Sequence, residues 1–160
     1  MYESYYYLGR SYIEWKKLHE PDKNSKLASE YLTKALEGYD NGKVYYELGY
    51  LNRSIMNTRK AEEYYQKSYE NGNVESLCRL LSVYADLLVP PVKLSELSGL
   101  NKSEYNERKK RDDFFEERYE RRRADFTTEE INEKITMVKM EIRKSGYNCQ
   151  LLDYTKINKN

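Results

Sequence analysis

Large apolar residues recur in short stripes separated by charged positions, and no long apolar run interrupts the pattern. Two stretches repeat one another. The first reads YYYLGRSY from Tyr5 and ASEYLTKALE from Ala28; the second reads YYELGYLN from Tyr45 and AEEYYQKSYE from Ala61. Each predicts two antiparallel helices. The first copy carries seven extra residues between its halves, in HEPDKNS, where Pro21, Asp22, Asn24 and Ser25 are turn formers, so the added length is expected in the link. A third start at Leu77 repeats the first helix with Leu80, Leu81 and Tyr84, and Pro90 with Pro91 stops any second helix directly after it. The expected fold is therefore all-α: a short α-solenoid of about two and a half helix pairs, followed by two C-terminal helices.

From Lys93 the pattern changes. Within residues 102–123, 16 of 22 are charged, and acid-first pairs such as Glu104/Arg108, Glu107/Arg111 and Glu117/Arg121 predict a solvated helix. Its thin apolar stripe holds Tyr105, Phe115 and Tyr119, continued by Phe126, enough to dock on another surface. Thr127 and Glu130 have capping-box spacing, with Phe126 and Ile131 as the staple. Ile131, Ile135, Val138 and Ile142 then form a seam on one helix face, stopped by Gly146. In the tail, Leu151 and Leu152 are expected to pack and the last residues to fray. Residues 2–92 are read as the repeat region and 93–160 as a charged extension that folds back as a cap; otherwise the chain dimerises to cover its apolar faces.

The repeat resembles the tetratricopeptide superfamily. With Tyr45 at position 4 of a 34-residue unit, Leu48, Gly49, Ala61, Tyr65 and Ser68 fall on that family's large, Leu, Gly, Ala, aromatic and small positions. The first copy matches with Tyr5, Leu8, Gly9, Ala28, Leu32 and Ala35. Variable spacing, and Asn-Gly before the next helix at 41–42 and 71–72, is most similar to the Sel-one-like branch; the family's closing proline is missing in both copies. The resemblance implies close helix approach at Gly9 and Gly49, and a concave surface made by the first helix of each pair. That surface would be lined by Glu3, Tyr6, Arg10 and Ile13, then Lys43, Tyr46, Tyr50 and Arg53, then Glu75, Cys78 and Ser82. Among these, Tyr6, Arg10, Lys43, Tyr46, Tyr50, Arg53 and Ser82 are the expected partner-binding residues. About half of these tyrosines are expected only to fill gaps between helices.

The family's Lys/Asn/Arg clamp for a C-terminal carboxylate is not reproduced. Tyr6, Arg10 and Glu47 stand at clamp positions, and an acid there repels a carboxylate. LLVPPVKL, from Leu87 to Leu94, looks like the Leu-Pro-Pro segment that follows the repeats in short bacterial Sel-one-like immunity proteins. That likeness implies toxin neutralisation by covering the toxin's active surface.

Composition narrows the chemistry. At 160 residues, 39% hydrophobic, 34% charged and a mean hydropathy of −1.01, the chain has room for one modest core. Tyrosine supplies 18 residues, bringing apolar area with a hydroxyl and few rotors, which suits a protein-binding surface. The net charge of +1 gives no general field for nucleic acid or anionic membrane. Arg118, Arg121, Arg122 and Arg123, interleaved with Phe114, Phe115 and Tyr119, form the alternative reading, an RNA-binding helix over 108–123. Seven acids within residues 102–123 oppose it.

A single histidine, His19, is placed at a helix end, where it favours the helix dipole. Adjacent carboxylates such as Glu62/Glu63 point to different helix faces, and no phosphate loop, nucleophile elbow or zinc-protease motif occurs. No catalytic residue, cofactor or metal is therefore expected. A protein partner, such as a toxin or effector, is the expectation, with a scaffold or adaptor subunit as a further form. No membrane span is predicted, and no signal peptide is read at the N-terminus. Cys78 and Cys149, 71 residues apart and without metal-ligand spacing, are expected as reduced thiols, which places the chain in the cytoplasm unless an export signal has been removed.

Overall fold

The computed structural model describes residues 1–15 and 20–149. Among them are seven α-helices, one 3-10 turn and no strand. The helices are α1 (Tyr2–Trp15), α2 (Pro21–Ala35), α3 (Asn41–Ser54), α4 (Thr58–Glu70), α5 (Glu75–Leu88), α6 (Lys102–Arg123) and α7 (Thr128–Ser145); the 3-10 turn spans Leu94–Glu96. His19, Leu151 and Leu152 lie outside the described residues.

Helices α1 and α2 pack as one pair and α3 and α4 as a second. Each pair closes at a glycine. A Cβ on Gly9 would stand 2.6 Å from Leu32 Cγ, and one on Gly49 would stand 2.7 Å from Tyr65 Cδ1, so only a hydrogen lets the helices meet. Leu32 and Tyr65 occupy the same register position in the two copies, and Ala28 and Ala61 beside them are fully buried. Much of the tyrosine serves this pairing. Tyr5 stacks on Tyr31 at 6.1 Å and Tyr45 on Tyr64 at 6.1 Å, with Lys34 and Lys67 set over the two ring pairs. Tyr12 lies parallel to Tyr31 and extends the first stack.

Successive pairs are joined by a buried hydroxyl chain: Ser76 Oγ donates to Ser68 Oγ, which donates to the Gly42 carbonyl at 2.5 Å. The two Asn-Gly dipeptides differ. Asn41-Gly42 opens α3 itself, behind the Asp40 cap, whereas Asn71-Gly72 forms the turn before α5, with Gly72 at φ 90°. The extra residues of the first copy do not all form a link. Pro21 starts α2 and Asp22 complements its dipole, so this stretch adds a helical turn ahead of Ser25.

The third pair is assembled out of sequence order. Helix α5 buries Leu77, Leu80, Leu81 and Tyr84 and ends at Leu88 ahead of Pro90 and Pro91. Its partner is α7, whose Ile131, Ile135 and Val138, with Phe126 ahead of them, join the same core cluster. Thr127 caps α7 through the Glu130 amide at 3.1 Å, and Gly146 ends it at φ 68°. The Glu130 carboxylate also takes the Arg59 guanidinium of α4 at 2.8 Å, while Lys134 and Tyr84 both reach Glu62. Charged side chains thus bridge α7 to α4 across a cleft of about 420 Å³.

The apolar stripe expected on α6 is corrected. Tyr105 and Phe115 are each 45% exposed, and of the stripe's residues on this helix only Tyr119 is buried, donating to the Leu87 carbonyl at 3.0 Å. Asp112 interrupts the stripe; it is buried and accepts the Leu94 and Ser95 amides at 3.0 and 2.8 Å. The helix docks by that polar anchor and starts with a full Asn101/Glu104 capping box. The reduced-thiol expectation is also corrected: Cys78 and Cys149 form a disulfide, because docking of α7 brings their Cα atoms to 5.6 Å. The cysteine argument for a reducing compartment falls with it.

Candidate functional site

The first helices of the three pairs, α1, α3 and α5, line a groove of about 650 Å³. Tyr6, Arg10, Lys43, Tyr46 and Tyr50 from the sequence-predicted set all line it, joined by Glu47, Glu75 and Arg79. Its charges are paired across helices. Arg10 of α1 meets Glu47 of α3 at 3.0 Å and stands over the Tyr6 ring. Tyr46 donates to Glu75 of α5 at 2.7 Å and accepts from Arg79 Nε at 2.5 Å. Lys43 pairs with Asp40 at the rim, at 3.5 Å.

Burial governs the titration of the groove. It pushes the Tyr6 hydroxyl up to about 12, with Glu47 adding to the effect. It raises Tyr46, supported by the hydrogen bond to Glu75, and raises Glu47 against the pull of Arg10. Tyr6 and Tyr46 therefore stay neutral donors at ordinary pH. Tyr65 lies buried beside this wall, its ring edge-on to Tyr46 at 5.8 Å.

Arg53 and Ser82 meet one another instead of lining the groove. Arg53 Nη2 donates to Ser82 Oγ at 2.8 Å and also engages Asp86, latching α3 to α5. Cys78 is closed off by its bond to Cys149. Arg79 escaped the sequence reading, although its i,i+4 spacing from Glu75 was the available signal.

The four arginines of the alternative site are divided among different tasks. Arg118 lies over Phe114 at 4.7 Å and points Nε at Met56 Sδ. Arg121 pairs with Glu117 at 2.5 Å. Arg122 is half-buried, and Arg123 donates to the Leu87 carbonyl at 3.2 Å and to Thr128. Among the described residues no group of His, Cys, Asp and Glu has the geometry to hold a metal, and no helix is long and apolar enough to cross a membrane.

The architecture defines the chain as a helical-repeat-like stack of paired helices. No protein-family model, no curated protein and no solved structure matches it.

Proposed function

We propose that this chain is a non-enzymatic protein-interaction module whose α1–α3–α5 groove receives a segment of a partner protein. The observation that carries the proposal is the convergence of Tyr6, Tyr46 and Tyr50 with internally paired charges on three rigid helices. Rings held in this way offer contact area at low ordering cost, and polar groups that already satisfy one another avoid a large desolvation penalty when a partner covers them. Gly9 and Gly49, facing Leu32 and Tyr65 at matching positions of the two copies, support assignment of the pairs to tetratricopeptide-like, Sel-one-like repeats. The most concrete form of the function is an immunity protein that covers a toxin's active surface.

Tyr46→Ala with Tyr50→Ala is expected to weaken the partner at least tenfold while the helical circular-dichroism signal stays intact. The experiment is affinity capture from the source lysate with wild-type and variant baits, eluates assayed for protein and RNA across a salt series. A stoichiometric protein lost with the variant supports the groove. RNA whose retention falls steeply with salt, and is lost instead with Arg121→Ala and Arg122→Ala, would move the site to α6.

A further inference from the structure

We infer that the Cys78–Cys149 disulfide is a redox-controlled clamp that keeps α7 seated on α5. The inference is independent of what occupies the groove. Helices α3 and α4 are joined by three residues, whereas 39 residues separate α5 from α7. So long a connection makes docking of α7 entropically more costly, and its interface with α5 is less extensive than that within either earlier pair.

Two devices at opposite ends of α7 offset that cost. At its start, Arg59 and Glu130 join α4 to α7, with Lys134 to Glu62 beside them. At its end, Cys149 follows the Gly146 cap by three residues and bonds Cys78 in the first half of α5. The covalent link lies at the far end of the helix from those ion pairs, where the Tyr69 hydroxyl of α4 also donates to Glu141 at 3.0 Å, so the disulfide adds a covalent tether to an end that carries no cross-helix ion pair among the described residues. Cys78 and Cys149 are only 8% and 4% exposed. A soluble reductant reaches the sulfurs only after the end of α7 lifts, so the rate of reduction reports that opening.

The chemistry is thiol–disulfide exchange with a dithiol reductant. One thiolate of the reductant attacks a protein sulfur, the S–S bond breaks and a mixed disulfide forms. The second reductant thiolate then displaces the protein sulfur. The protein gains two electrons and two protons as the Cys78 and Cys149 thiols, and the reductant leaves as its own disulfide. Reduced, α7 keeps its isoleucine seam and polar bridges but loses its covalent tether, so Leu77, Leu81 and Tyr84 of α5 become intermittently exposed.

The test uses the full chain in three forms: oxidised, treated with dithiothreitol, and carrying Cys78→Ser with Cys149→Ser. Thiol alkylation reports the bond, and hydrogen exchange with mass spectrometry reports the opening. The oxidised native chain should resist alkylation. Both tether-free forms should exchange at least tenfold faster over residues 131–142, with α1–α4 unchanged and Tm lower by about 10 °C. Arg59→Ala should accelerate reduction by loosening the other end, and reoxidation should restore slow exchange. Alkylation of both cysteines in chain purified without reductant, or equal α7 exchange in all three forms, would overturn the clamp.

Discussion

In the first two pairs the second helix follows its partner in sequence and closes on a glycine, Gly9 against Leu32 and Gly49 against Tyr65. In the third, α5 has no such neighbour, and α7 arrives after the excursion through the 3-10 turn and α6. One side of the molecule is held by close backbone approach and stacked tyrosines. The other is held by an isoleucine seam, a charge network and a disulfide. The difference teaches that a helix pair can be completed from a distance when specific long-range contacts replace the short turn that would otherwise set its register.

The largest effect that would sharpen this contrast comes from core truncation. Leu32→Ala and Ile131→Ala each remove a fully buried side chain, at a cost of about 3 kcal/mol. The first should unfold the chain in one transition at lower denaturant, because α1 and α2 share a core cluster with α3. The second should release α7 while the helical signal of α1–α4 persists. Identical loss of all helices in both variants would show the two regions to be one cooperative unit.

A smaller effect is expected from acid. The Arg59 contact holds Glu130 below the usual carboxylate range, and the Ser95 and Leu94 amides do the same for Asp112. Carboxylates held low stabilise the fold above their unfolded values and lose that contribution as pH falls through the folded ones. Glu47 in the groove has the opposite sign: its value is raised, so protonation costs it nothing and its contribution is lost only as pH rises. Exchange in α6 and α7 should therefore increase as pH falls below the ordinary carboxylate range, before α1–α3 respond. Simultaneous loosening of both regions would contradict the assignment.

How legible each feature was follows from its range. The glycine contacts, the α7 seam and its Gly146 stop depend on residues within one helix or one pair, and local periodicity carried them. The disulfide depends on where α7 docks, which no local pattern encodes. Asp112 looked like one more solvated acid in a highly charged helix, because its partners are backbone amides at Leu94 and Ser95. Glu130 had the spacing of a cap residue, and that it also meets a guanidinium from α4 depends on where α7 docks. In the groove, the register placed Tyr6, Arg10, Lys43, Tyr46 and Tyr50 on one face; it did not show that Arg53 and Ser82 bind each other, since that needs the distance between α3 and α5.

The most direct test of the account is residue-resolved native hydrogen exchange on the full oxidised chain. The account predicts that amides around Ile131–Val138 are protected together with those of α5, while the first turns of α6, ahead of the anchors at Asp112, Tyr119 and Arg123, exchange orders of magnitude sooner. Exchange of α7 as fast as α6, with α5 protected alone, would contradict the claim that α7 completes the third pair.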